Sequence, residues 1–486
     1  MRKIFSLILS AIIMLSSIPA LAEGFTQEAG FSFDIYDSFV NDMSDEMPLM
    51  EIDEDVKTAF EERLIAAWEN MDTEVQLYPN IKIHKDDITS YFASVYFENP
   101  KYYYVIRSFS GTMNSAGYLG KLTKLSYSVD SMDEVADVWA KIDIATEEIL
   151  LYISPDMTDF EKIMTVHDYM VNNYVYNIAD TDQTFLIMLD KVGVCAAYSE
   201  AFQHMMNVLG IEATLVTSDE MGHIWNMVKL DGRWYHVDIT WDDPVPDQAA
   251  RVNHQFMLLS TNAITDLGHY GFTAPYSAVS TVYNKADWRD DEGAIVTVDG
   301  VMYRVEENNL VDENDNVIYK NLDGGDGKWS VSETSYVNDV VWTGICEING
   351  LLYFNTDTGI YSYNPETKET KCILNQYGIG GLYADKNVIV YSGYDFDEGN
   401  FVKKGEIKIS DIRLGEPYYE GGKAVVRLYN DCDVPIWIIS KGDGYKIHKV
   451  DAKSIGTAKF ENGSEQTIYI WKNSLEPVIE KFTVSE

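Results

Sequence analysis

The sequence predicts an α+β chain of several domains that ends in all-β modules. Three observations carry this. At 486 residues the chain exceeds what one hydrophobic core holds, so about two to four domains are expected. Apolar residues recur with helical spacing in several stretches up to Leu209. Beyond about residue 285 the texture changes to short β segments split by Gly, Asn and Asp. Hydrophobic and aromatic contents of 46% and 13% are those of folded globular protein. A formal net charge of −41 argues against nucleic acid and anionic membranes as partners.

In chain order, Arg2 and Lys3 precede an apolar run that ends in Ala20-Leu21-Ala22, the pattern of a signal peptide over residues 1–22. Export to the extracellular side is the expectation, with mature protein starting at Glu23 and no membrane span after cleavage. Residues 23–152 read as an N-terminal α+β extension. Its helices are expected over Asp53 to Met71 and over Met132 to Leu151, and Asn99-Pro100 marks a turn before an aromatic-rich strand. Thr158 and Glu161 are spaced as a capping box, and Phe160, Ile163, His167, Val171 and Tyr174 then share one helix face. His167 on that stripe reads as a packed core histidine.

Residues 286–405 form a β-repeat region, because Asp299 to Tyr303, Asn349 to Tyr353 and Asn387 to Tyr391 look alike. Residues 406–486 alternate apolar and polar as a β-sandwich, Ig-like module. The acidic run Asp312 to Asn316 lacks the full spacing of a calcium loop and reads as a polar turn. The four cysteines, Cys195, Cys346, Cys372 and Cys432, are too few for a disulfide scaffold, although Cys346 and Cys372 share a β-rich region.

The chemistry concentrates in Gly193 to Pro244. Cys195 stands in the first turn of a helix marked by Tyr198, Ala201, Phe202, Met205 and Leu209 and stopped by Gly210. A helix start favours thiolate over thiol, yet a lone cysteine there is more readily a small buried hydrophobe. Asp231-Gly232 predicts a two-residue hairpin turn. In that register Met227 faces His236, Trp225 faces Asp238 and His223 faces Thr240. His223 and Asp238 then share a sheet face as diagonal neighbours, about 7–8 Å apart, where the carboxylate can orient the imidazole towards a thiol. His236 falls on the same face, but no short His or Cys spacing supports zinc, and no metal is expected. Ser199 lies one turn inside the helix and is a poorer nucleophile candidate.

Gly193-Val-Cys-Ala-Ala-Tyr198, His223-Ile-Trp-Asn226 and Asp231-Gly-Arg-Trp-Tyr-His-Val-Asp-Ile-Thr-Trp-Asp-Asp-Pro244 resemble the transglutaminase-like superfamily of papain-like thiol enzymes. Upstream Val166-His-Asp-Tyr-Met170 and Tyr176, and downstream Phe256-Met-Leu-Leu-Ser260 and His269, extend the likeness. The resemblance implies a papain-like core over residues 153–285 with Cys195, His223 and Asp238 as a catalytic triad. It implies attack on amide bonds of proteins or peptides through a thioester, without cofactor, and transfer of the acyl group to an amine or to water. Trp225 and Tyr198 are the expected substrate-binding side chains. The layout is similar to secreted proteins of Gram-positive bacteria. Ala197 and Ile224 depart from the family pattern, where smaller residues are usual, and bear on substrate size.

Two alternatives stand beside this reading. One is a cysteine peptidase or amidase using the same three residues. The other is a surface-binding protein whose C-terminal β modules contact a cell wall or surface.

Overall fold

The computed structural model describes residues 27–32, 54–178, 186–218, 220–289, 295–306, 309–320, 322, 344–356, 358–395, 397–442, 444–461, 465–472, 476–479 and 481–485; the expected signal peptide, residues 1–22, lies outside them. The chain divides into two compact units, residues 1–141 with 217–223 and 270–273, and residues 142–216, 224–269 and 274–486. The division falls between His223 and Ile224, inside one continuous strand. None of the described helices is long and apolar enough to cross a membrane.

In the first unit, β1 (Gln27–Ser32), α1 (Glu54–Glu69), β2 (Glu74–Gln76), α2 (Ile88–Glu98), β3 (Ser108–Met113) and β4 (Leu119–Thr123) follow in order, and the strands form an antiparallel sheet, β1-β3-β4-β2. The helical spacing after Asp53 is realised in α1, which buries Phe60, Leu64 and Trp68 completely. Trp68 meets Phe92 at 5.4 Å and Phe92 stacks on Phe109 at 4.4 Å, an aromatic core between helix and sheet. The strand expected directly after Asn99-Pro100 begins only at Ser108. A 3-10 turn, Pro100–Tyr102, comes first. Pro100 brings no N–H to a ladder. Tyr102 and Tyr104 turn inward instead, and their hydroxyls donate to Glu69 Oε1 (2.7 Å) and the Trp68 carbonyl (3.2 Å).

Next come α3 (Met132–Leu150) and α4 (Asp159–Asn173). The capping box at α4 is present in both directions, with Thr158 Oγ1 accepting from the Glu161 N–H and the Glu161 carboxylate accepting from the Thr158 N–H. β5 (Val175–Tyr176) pairs in parallel with β6 (Val192–Gly193), and α5 (Ile187–Asp190) lies between them in sequence. Then follow α6 (Cys195–Val208), β7 (Ala213–Ser218), β8 (His223–Leu230), β9 (Arg233–Val237), α7 (Ile239–Asp242), α8 (Thr261–Asp266) and β10 (Phe272–Thr273), with a sheet ordered β10-β7-β8-β9. Asp231 and Gly232 both take positive φ (51° and 74°), as the predicted turn requires, and Leu230 pairs with Arg233 and Met227 with His236.

From Val296 on, the described residues of the second unit are all β. Residues 296–319, 345–375 and 381–408 make three successive antiparallel sheets of four, four and three strands. The three look-alike segments are the first hairpin turn of each sheet plus its second strand. Asp299-Gly300 and Asn349-Gly350 hold the turns with positive φ, and Lys386 takes that conformation in the third. Leu310, Ile345, Leu352 and Phe354 join the first two sheets in one core. The final module is a sandwich of two antiparallel sheets closed over Val426, Leu428, Ile436, Ile438, Ile468 and Ile470. Tyr152, just after α3, ties this half to the helices, donating to the Ala384 carbonyl (3.0 Å) and accepting from the Lys386 N–H (2.7 Å). Arg413 stacks on the same ring at 4.1 Å. No disulfide forms among the four cysteines: Cys346 is buried and Cys372 exposed. Asp312 folds its loop as a polar turn, its Oδ1 accepting from the N–H groups of Asn314 and Asn316.

Candidate active site

Cys195 is the first residue of α6 and is 3% exposed. Val194 at the N-cap has an extended backbone and supplies no capping side chain. Gly193 is needed in front of it: a Cβ there would lie 2.8 Å from Ala197 Cβ and 2.9 Å from Ile187 Cδ1. Ala197, one departure from the family pattern, therefore packs directly under the residue before the helix. Gly193→Ala is expected to cost roughly 1–3 kcal/mol by overpacking, read as a lower urea midpoint, and Gly193→Ala with Ala197→Gly is expected to recover most of it.

Two side-chain bonds join α6 to β8. Ser199 Oγ donates to the Ile224 carbonyl (3.1 Å), and Asn226 Nδ2 donates to the Ser199 carbonyl (3.0 Å). Ser199 is thus a buried connector, and Asn226 of the His-Ile-Trp-Asn run completes the join. Both bonds hold the start of β8 against the first turns of α6.

The hairpin ladder stops at Asn226 opposite Val237. The expected pairings of Trp225 with Asp238 and of His223 with Thr240 do not form, because the chain leaves the sheet at Asp238 and turns into α7. Asp238 is the N-cap of that helix, its Oδ1 accepting from the Trp241 N–H at 3.2 Å. Its other oxygen, Oδ2, accepts from His269 Nε2 at 2.8 Å. His223, Asp238 and His269 each place one ring nitrogen or carboxylate oxygen within 4.8 Å of the others, and all three are buried. Tyr176 feels the same centre. Burial, then the nearby Cys195 and Asp238, push its phenol above the usual range.

His236 is not part of this group. Its Nδ1 accepts from Trp225 Nε1 (3.0 Å), so Nε2 carries the proton and donates to Thr261 Oγ1 (3.1 Å). Burial drives its pKa down to about 4, with the nearby His269 adding to the effect. Trp225 (0% exposed) and Tyr198 (1%) offer no surface to a substrate. Trp225 is the anchor of His236, and the Tyr198 hydroxyl donates to Asp243 Oδ2 at 2.5 Å. Trp241, 40% accessible, lies 4.3 Å from the His269 ring.

A second buried polar group is bonded to α7, the helix that Asp238 caps. His167 donates from Nδ1 to Asp168 Oδ1 (2.8 Å) and from Nε2 to Asp242 Oδ2 (3.2 Å), so the ring carries both protons and a positive charge. Burial alone would push its pKa down, but the two carboxylates outweigh it and hold it up at about 9. His254 Nε2 donates to the same Asp168 oxygen (2.8 Å), Asp168 Oδ2 accepts from the Ile295 N–H (2.9 Å), and Asp242 accepts from the Phe256 N–H (3.0 Å). The network ties α4 to α7, whose N-cap is Asp238. His167 as a buried, bonded core histidine agrees with the sequence; the pairs to Asp242 and His254 are tertiary.

Two three-residue groups, His167-Asp168-His254 and His223-Asp238-His269, have the donor number of a metal site. In each, carboxylate and imidazole already stand at 2.8 Å, the distance of a shared proton. We read both as hydrogen-bonded networks.

Residues 148–239 match the family model described as Transglutaminase-like superfamily. That segment is similar to the superfamily. Kyphoscoliosis peptidase of Homo sapiens is 24% identical over 139 residues, covering 23% of this chain and 21% of that protein. The Mus musculus kyphoscoliosis peptidase is 24% identical over 112 residues, covering 18% and 17%. The chain thus spans about a fifth of these relatives. A crystal structure of a TGase is 13% identical with a TM-score of 0.19, covering 30% of this chain and 47% of that one. In this transglutaminase-like domain the matched residues include Cys195, His223 and Asp238, while His254 and His269 lie beyond the match. His269 stood in the sequence only as part of a longer resemblance. Nothing local marks it, because it reaches Asp238 across 31 residues of chain.

Proposed function

We propose that this chain is an exported thiol enzyme that acts on amide bonds of proteins or peptides, with Cys195 as nucleophile, His223 as acid and base, and Asp238 as the group that orients and charges His223. The observation that carries the reading is the buried group of His223, Asp238 and His269, with Cys195 at the start of α6 and Tyr176 feeling both Cys195 and Asp238. The Cys195 thiolate attacks the amide carbonyl carbon. The C–N bond breaks, the proton on His223 passes to the leaving amine, and a thioester remains. An incoming amine or water then gives its proton to His223, attacks the thioester and releases the thiolate. The backbone N–H of Cys195, at a helix start with no capping side chain, serves as an oxyanion donor.

The name of the human and mouse relatives favours a second reading, in which water is the acceptor and the protein is a peptidase. One assay separates the two. Full-length protein and a Cys195→Ala control are incubated with a glutamine-bearing protein and a labelled primary amine, and incorporation and cleavage are followed together. Label incorporation that depends on Cys195 is the expected result. Cleavage without incorporation moves the assignment to peptidase, and neither product leaves the β modules as a binding surface.

A further inference from the structure

We infer that His269 is a positioning residue for the Asp238 carboxylate, holding it anionic and aimed so that His223 can carry a positive charge beside the Cys195 thiolate. The inference rests on the triad reading above and adds a fourth group to it. Asp238 is 1% exposed, and a buried carboxylate left with a single imidazolium partner is prone to take that partner's proton and leave both groups neutral. Here two other donors prevent it. His269 Nε2–H binds Oδ2 at 2.8 Å and the Trp241 N–H binds Oδ1 at 3.2 Å, so each oxygen has a donor that cannot be carried off by the substrate.

The His269 ring is itself fixed in an aromatic box. Trp225 meets it edge-on at 4.8 Å, Trp241 lies at 4.3 Å and Phe256 at 5.4 Å. The backbone adds to this, because Asp238 N–H donates to the Phe256 carbonyl at 3.0 Å. The titratable groups facing the pair are His223 on β8, Tyr176 on β5, whose phenol also feels Cys195 on α6, and His236 on β9, which feels His269 electrostatically.

The test needs no substrate. The pH dependence of iodoacetamide alkylation is measured by mass spectrometry at Cys195 and at the exposed Cys372 in the same full-length protein, for wild type, His269→Leu, His269→Phe and His269→Gln. The glutamine amide restores an N–H donor; the two apolar residues fill the box without one. The expected result is an acid limb for wild-type Cys195 well below that of Cys372. Leu and Phe move this limb up by about one pH unit, a roughly tenfold slower reaction on the limb, and Gln returns it. Leu, Phe and Gln profiles that superimpose on wild type, or that all shift equally, overturn the inference, and the pair of apolar variants guards against one that does not fold. If wild-type Cys195 and Cys372 share one limb, the thiolate reading itself fails, and the role of His269 falls with it.

Discussion

Replacing Asp238 with asparagine is expected to lower the rate of acyl transfer by about 10³- to 10⁴-fold, with the fold intact. Asp238 has three functions, and asparagine keeps only the first. As N-cap of α7 it needs only a side-chain oxygen for the Trp241 N–H, and asparagine caps as well as aspartate. As partner of His269 it accepts through its second oxygen; asparagine, with its one oxygen at the cap, puts an NH2 there instead, so that bond is lost together with the charge. As partner of a histidine that becomes positively charged it needs the negative charge, and that is what asparagine removes. Asp238→Ala loses the cap as well, at a further cost of about 1 kcal/mol. The check is kcat/KM and urea midpoint measured side by side. Equal rates for wild type and Asn would remove Asp238 from the mechanism.

The second large effect is on stability. Replacing His167 with leucine leaves Asp168 and Asp242 buried without the cation between them, and is expected to cost about 3–5 kcal/mol. The same network sets a pH dependence. The folded pKa of His167, about 9, lies above the ordinary value of 6.5, so its contribution is full below pH 6.5 and is lost as pH rises through about 9. The loss amounts to a few kcal/mol. His236 acts in the opposite sense. Its folded pKa, about 4, lies below 6.5, so the folded state refuses a proton that the unfolded chain accepts, and stability is lost as pH falls from 6.5 towards 4. Stability governed by these two histidines therefore peaks near pH 6.5. Denaturant midpoints across pH 4–10 for wild type, His167→Leu and His236→Gln check this. The alkaline decline is expected to vanish in the first variant and the acid decline to shrink in the second.

The local features of the site were legible in the residues. Thr158 and Glu161 cap α4, Cys195 opens α6, and Asp231-Gly232 sets the register of the hairpin. Each depends on neighbours within a few positions, where backbone geometry leaves few choices. The β-repeat and sandwich textures were equally readable, because alternation and turn residues recur along the chain itself. The hairpin ladder ends at Asn226 and Val237, short of the expected Trp225–Asp238 and His223–Thr240 pairs, because Asp238 serves as a helix cap, and a cap ends a strand.

What the sequence by itself determined is the order Cys195, His223, Asp238 and the elements that present them. Helix start, strand and turn are decided by contacts close along the chain. What only the tertiary structure decided is which further groups complete the centre. Asp238 finds His269 across 31 residues, Asp168 finds His254 across 86, and His167 finds Asp242 across 75. These pairs form because a carboxylate or imidazolium taken out of water must be bonded, and the partner is whichever donor or acceptor the packed core brings to it. Spacing in a sequence carries no record of that meeting.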